Sequence, residues 1–182
     1  MAEIKTFGAV VPGWSVPARP TAAVVEGDIV RLERMDPDSH AADLFRAFSG
    51  HDGLWDYLPY GPFSSAAAYH RWAKEAAMGA DPLFYVIRQK DSGHCSGVAS
   101  YLRITPDSGT IEVGHINLSP ELSRSRAATE AMFLMMQWAF ARPPRVWSRG
   151  RCCSTVPMGS ISKLQSIAAS FIWCLRPRAL RP

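Results

Sequence analysis

Residues 111–140, Ile-Glu-Val-Gly-His-Ile-Asn-Leu-Ser-Pro-Glu-Leu-Ser-Arg-Ser-Arg-Ala-Ala-Thr-Glu-Ala-Met-Phe-Leu-Met-Met-Gln-Trp-Ala-Phe, decide the fold. An alternating strand runs from Ile111 to Leu118 and gives way to a polar turn carrying Arg124 and Arg126. A long helix follows, and its stripe of Ala127, Ala128, Ala131, Met135 and Trp138 is fit to lie on a sheet. The start of such a helix presents backbone N–H groups with no intrahelical partner, at the positive end of the helix dipole. Two arginines and the small hydroxyls of Ser123 and Ser125 stand beside it, so the turn suits a phosphate-bearing ligand.

The elements upstream fit the same plan. Asp28-Ile-Val-Arg-Leu-Glu alternates as a half-buried first strand, and Asp36-Pro37 supplies a helix cap followed by proline at the first helical position. That helix carries Ala41, Leu44, Phe45 and Phe48 on one face and stops at Gly50. An aromatic loop, Leu54 to Phe63, leads to Ser64 or Ser65, either of which caps a second helix running to about Gly79. Phe84 to Gln89 and Gly97 to Ile104 are strands, separated by the turn Lys90-Asp-Ser-Gly. Strand, helix, helix, three strands, helix predicts an α/β fold in which helices cover a sheet.

Length and composition set the bounds. A chain of 182 residues, 47% of them apolar, supports one packed α/β core and excludes wholesale disorder. The net charge of +4 hides a break near Ala141. Residues 1–141 hold all 16 acids against 12 Lys/Arg; residues 142–182 hold 8 Lys/Arg and no acid. Three of the four cysteines, Cys152, Cys153 and Cys174, also lie in the last segment. Three units are therefore expected: an extended, proline-punctuated arm over 1–23 with Trp14 as an anchor, the α/β domain over 24–141, and a basic Cys/Arg/Pro-rich tail over 142–182. No secretory signal or membrane-length apolar run is visible, and the cysteine spacings match neither a zinc ribbon nor a thioredoxin motif. A reduced cytoplasmic protein without a metal is the expectation.

Glu112-Val-Gly-His-Ile-Asn-Leu-Ser-Pro, the arginine turn and Ala127-Ala-Thr-Glu-Ala, in this order of elements, resemble the GNAT acetyltransferases. The resemblance spans about Val24 to Phe140 and looks closest to the branch that acetylates protein N-terminal amines, ribosomal proteins among them. It implies a central mixed, mostly antiparallel sheet flanked by helices, and transfer of acetyl from acetyl-CoA to a primary amine of a protein N-terminus or a small molecule. In that family the turn reads Gln/Arg-x-x-Gly-x-Gly/Ala and its amides hold the pyrophosphate. Here Arg126 stands at the first glycine, which requires a right-handed backbone there, and Ala128 keeps the small residue.

Residue by residue, the resemblance implies that Ile116, Asn117 and Leu118 offer backbone groups to the pantetheine arm, with Ser119 at the strand's end. Ser123, Arg124, Ser125, Arg126, Ala127, Ala128 and Thr129 would hold the pyrophosphate. Glu112 falls where relatives place a general base, needed because an amine attacks a thioester only after losing its proton. It can equally be a solvent-facing strand residue paired with a basic neighbour. His115 lies three positions from Glu112 and so on the opposite face unless a bulge intervenes. The resemblance also implies that Trp55, Tyr57 and Tyr60 would line the acceptor pocket; equally, these aromatics would simply pack their own loop down. A homodimer is compatible with the family.

The family continues with a fifth strand splayed from the Ile111–Leu118 strand, a helix bearing a tyrosine that protonates the leaving thiolate, and closing strands. This chain has no tyrosine and no asparagine after Asn117. Pro143-Pro144 ends the helix, and the acid-free Arg/Pro/Ser/Cys/Trp tail reads as a frameshifted or replaced C-terminus. Two consequences are expected: an unpaired edge along Ile111–Leu118 and thin apolar cover over the methionine-rich helix. Catalysis would then be impaired. The alternatives are a non-catalytic scaffold that binds CoA or a protein, and a basic tail that attaches to nucleic acid or an anionic membrane, neither of which is an expected partner.

Overall fold

The computed structural model describes residues 15–140 and the backbone of residues 171–173. One sheet is built from β1 (Val24–Glu26), β2 (Val30–Arg34), β3 (Leu83–Gln89), β4 (Cys95–Thr105), β5 (Thr110–Leu118) and β6 (Phe171–Trp173), in that spatial order. Every neighbouring pair is antiparallel. Helices α1 (Pro37–Phe48) and α2 (Ala66–Met78) cover one face, and α3 (Arg126–Phe140) covers the other. The expected α/β sheet flanked by helices is the observed one.

Strand alternation divides the core into two layers. Val30, Leu32, Tyr85, Ile87, Ala99 and Tyr101 meet Ala127, Ala131, Leu134 and Met135 of α3. Phe84, Val86 and Val98 meet Leu44, Phe48, Trp55, Tyr69 and Ala73 on the α1/α2 side. The caps are those the sequence indicates. Asp36 accepts from the Asp38 N–H at 3.2 Å with Pro37 at the first helical position, and Ser65, not Ser64, accepts from the Ala68 N–H at 3.2 Å. At Gly97 the turn before α3 comes close: a Cβ there would lie 2.6 Å from Leu122 Cδ2 and 3.1 Å from Ile87 Cδ1.

Two expectations are corrected. The first strand does not begin at Asp28. A short strand, β1, precedes it, and Asp28 and Ile29 belong to the turn that joins β1 to β2. The cause lies a hundred residues away: the Glu130 carboxylate of α3 accepts from the N–H groups of Asp28, Ile29 and Val30 at 2.7, 2.8 and 2.7 Å. Nor is β5 an open edge throughout. Ile111, Glu112 and Val113 pair with Trp173, Ile172 and Phe171. Beyond Val113 no described strand flanks Gly114–Leu118 on that side, so the second half of β5 keeps one bonding edge clear of described neighbours. Of the methionines expected to lose cover, Met135 is fully buried and Met132 packs half-buried against the core, whereas Phe133 and Phe140 of the same helix are exposed. Trp14 and the tail over 142–182, apart from the backbone of 171–173, lie outside the described residues. No described helix is long and apolar enough to cross a membrane.

Candidate active site

Three non-glycine residues in the described chain have positive φ: Arg103 at 48°, His115 at 49° and Arg124 at 61°. Such conformations cost energy for side chains of this size and persist where the surroundings hold them. Two flank Glu112, and the third lies in the turn before α3.

The His115 irregularity is a bulge. Val98 pairs with Asn117 and Ser100 with Gly114, so two residues of β5 stand opposite Ala99 alone. The extra residue undoes the expected separation of Glu112 and His115. His115 stacks on Tyr60 with ring centroids 5.6 Å apart, hydrogen-bonds its hydroxyl through Nδ1 at 3.1 Å, and approaches Phe84 at 5.4 Å. These are residues of the α1/α2 layer. Glu112 faces that layer too: it pairs with Leu102, and a Cβ on Gly114 would sit 3.6 Å from Glu112 Oε1. The Ser100 hydroxyl, on the same face, donates to the Gly114 carbonyl at 3.1 Å.

Glu112 is 3% exposed. Its Oε2 accepts from Arg103 Nη1 at 2.9 Å, while Oε1 has no hydrogen-bond partner among the described residues. A buried carboxylate oxygen without a donor is costly in a protein that only has to fold. The expected basic neighbour therefore exists, but the carboxylate is interior rather than solvent-facing. His115 is held below its ordinary pKa, first by burial and then by Arg103, against the opposing pull of Glu112. Burial also pushes the Tyr60 hydroxyl far above its usual range.

Asn117 faces the same layer two residues further on. It is 5% exposed, and its Nδ2 likewise has no partner among the described residues. Ser119 ends the strand: its N–H donates to the Ser96 carbonyl at 2.9 Å and its hydroxyl accepts from the Leu122 N–H at 3.2 Å. Ser125 then caps α3, accepting from the Ala128 N–H at 3.1 Å. The first ladder bond runs from the Thr129 N–H to the Ser125 carbonyl at 3.3 Å, so the amides of Arg126 and Ala127 precede the ladder. Arg126 keeps a right-handed backbone and is exposed; the left-handed residue of the turn is Arg124. Chemically this is a helix start with two cations beside it, joined by a strand half that no described strand flanks on one side to a buried carboxylate.

Of the three aromatics expected at the acceptor pocket, Tyr60 stacks on His115 of β5. Trp55 is 6% exposed and packs edge-on against Phe48, Phe63 and Tyr69, whereas Tyr57 projects outward. The sequence alone does not single out Arg103, and it favours a structural role for the second titrating candidate, His115. Arg103 carries one signal: strict alternation would put its charge among the apolar residues facing α3.

Residues 30–159 match the acetyltransferase (GNAT) domain family, running past the composition break near Ala141. A GCN5-related N-acetyltransferase from Brucella melitensis is 36% identical, with a TM-score of 0.68, over 71% of this chain and 59% of its own. The chain thus spans less than two thirds of that protein's length. A GNAT-family acetyltransferase from Chromobacterium violaceum is 37% identical, TM-score 0.70, over 78% of this chain and 71% of its own. A Vibrio cholerae protein assigned as a ribosomal-protein-serine acetyltransferase shares the fold alone, at 12% identity and a TM-score of 0.55 over 65% of this chain and 67% of its own. No curated protein sequence matches. With over half its length in the family model and a 37%-identical relative over more than two thirds, the chain belongs to the GNAT acetyltransferase family.

Proposed function

We propose that this chain binds acetyl-CoA along β5 and the start of α3 and transfers its acetyl group to a primary amine, with Glu112 as proton acceptor. The observation that carries the reading is the buried Glu112 carboxylate with one oxygen paired to Arg103 and the other unpartnered. The Nδ2 of Asn117 is a second buried polar atom awaiting a partner. Gly114–Leu118 offer a strand edge clear of described neighbours, suited to the amides of a pantetheine arm. Arg124, Arg126 and the leading amides of α3 suit a pyrophosphate.

The acceptor arrives as an ammonium ion. Glu112 Oε1, directly or through water, takes one proton and leaves a neutral amine. Its nitrogen bonds to the thioester carbonyl carbon, the carbon–sulfur bond breaks, and the electron pair leaves on sulfur as a thiolate, which takes up the proton that the nitrogen sheds on becoming an amide. Burial of Glu112 excludes competing water, and Arg103 orients the carboxylate. We assign the acceptor to the class of protein N-terminal or small-molecule amines by resemblance to the N-terminal branch.

Turnover is expected to be slow. Residues 118–182 hold no tyrosine to protonate the thiolate, and Tyr60, bonded to His115 and driven far above its usual pKa, is a poor donor. The same observation favours a second reading, a scaffold that binds CoA without chemistry. Calorimetric titration with acetyl-CoA, together with thiol release in the presence of peptide amines, separates the two. Binding with turnover supports the enzyme, binding without turnover supports the scaffold, and no binding refutes both.

A further inference from the structure

Resting on the reading of Glu112 as proton acceptor, we propose that Asp81 is a positioning residue that acts on it through Arg103. β4 carries its own bulge: Leu102 pairs with Glu112 and Thr105 with Thr110, so Arg103 and Ile104 together stand opposite Ile111. A bulge frees backbone N–H groups from the ladder, and here both find one carboxylate. Asp81 Oδ1 accepts from the Arg103 N–H at 3.0 Å, and Oδ2 from the Ile104 N–H at 2.8 Å. This two-pronged bond holds Arg103 at its left-handed φ of 48°.

Strand parity shows the consequence. Tyr101 faces α3 and Leu102 faces the α1/α2 layer, so an unbulged residue 103 would face α3. Instead its guanidinium reaches Glu112 on the other face, with Nη1 2.9 Å from Oε2. The Arg103 side chain is 64% exposed, so burial does not fix its position. The backbone beneath it must. Arg19 braces the same corner from the arm before β1, donating to the Ala80 carbonyl at 2.9 Å and to the Ile104 carbonyl at 3.4 Å, and lying 3.7 Å from Asp81 Oδ2. The arm, the Asp81 loop and the β4 bulge are thus linked to Glu112 Oε2 through Arg103, and Oε1 is left to the acceptor.

Asp81→Ala, Asp81→Asn and Arg103→Gln, with the Ala–Gln double variant, test this in the full chain. Positioning predicts that Asp81→Ala lowers kcat on the order of tenfold or more, since small misplacements of a catalytic group are costly. Acetyl-CoA affinity stays unchanged. Asp81→Asn, which keeps one acceptor oxygen and the shape of the side chain, gives a smaller loss of the same kind. The loss vanishes on the Arg103→Gln background. The Glu112 ¹³Cδ resonance, assigned by its disappearance in Glu112→Gln, moves in the same direction in Asp81→Ala and in Arg103→Gln. An unmoved resonance in both Asp81 variants overturns the proposal, as does a kcat loss that persists in full on the Arg103→Gln background. If Glu112→Gln turns over like the parent, it is the Glu112 reading that fails, and the resonance still decides the role of Asp81.

Discussion

The Tyr60 hydroxyl and His115 Nδ1 lie 3.1 Å apart, their rings stacked at 19°, and this pair ties the loop between α1 and α2 to the bulge of β5. Burial favours the neutral imidazole in this pair. Its titration midpoint, followed by imidazole ¹⁵N shifts, is expected below 6.5. The unfolded chain binds this proton more readily. The contribution of neutral His115 to stability is therefore present above about pH 6.5 and lost as pH falls through the lowered folded value. His115→Asn, which tolerates the left-handed backbone, should flatten stability over that window. A midpoint above 6.5 would contradict the packing described.

Glu130 is predicted to hold β1 and β2 against α3. Burial pushes its carboxyl upward, but the three amides of Val30, Asp28 and Ile29 outweigh this and leave it below the usual value of 4.5. A lowered carboxylate stabilises above the unfolded pKa, and that contribution disappears as pH falls through the folded value. Glu130→Gln should cost about 2 kcal/mol at neutral pH in a denaturant titration, the order expected for charge-assisted bonds left partly unmade. The difference from the parent should shrink below pH 4. Equal stability of the two proteins at neutral pH would remove Glu130 from this role.

Arg126 should contribute to ligand binding and not to folding. It is exposed at the first position of α3, ahead of the hydrogen-bond ladder. Arg126→Ala is expected to weaken CoA binding roughly three- to tenfold, as for one phosphate-directed cation at a helix start. Raising the salt concentration should narrow the gap. Thermal stability should stay level or rise, since alanine is the better helix former. Unchanged affinity at low salt would place the pyrophosphate elsewhere.

Much of this fold is legible in the sequence because local pattern and tertiary burial agree. Phe84–Ile87 and Gly97–Leu102 alternate into two layers as written, and the Asp36-Pro37 and Ser65 caps form where their chemistry puts them. What stayed hidden depends on long-range partners. Nothing near Asp28 signals that Glu130 will take its N–H, so the turn there reads as strand. The bulges at Arg103 and His115 are similar cases. One extra residue reverses a face, and period-two reasoning has no means to place it without the partner strand. The resemblance singles out Glu112 and its strand position suggests a basic neighbour; its burial and its shared face with His115 follow from register.

The most direct test of the account compares Glu112→Gln with the parent in a single turnover of acetyl-CoA onto a peptide amine, with CoA affinity measured alongside. Glutamine keeps the shape and one acceptor oxygen but cannot take the ammonium proton. The prediction is a fall in rate on the order of a hundredfold or more with affinity unchanged, the usual cost of losing a positioned base. A parental rate in Glu112→Gln would contradict the central claim outright.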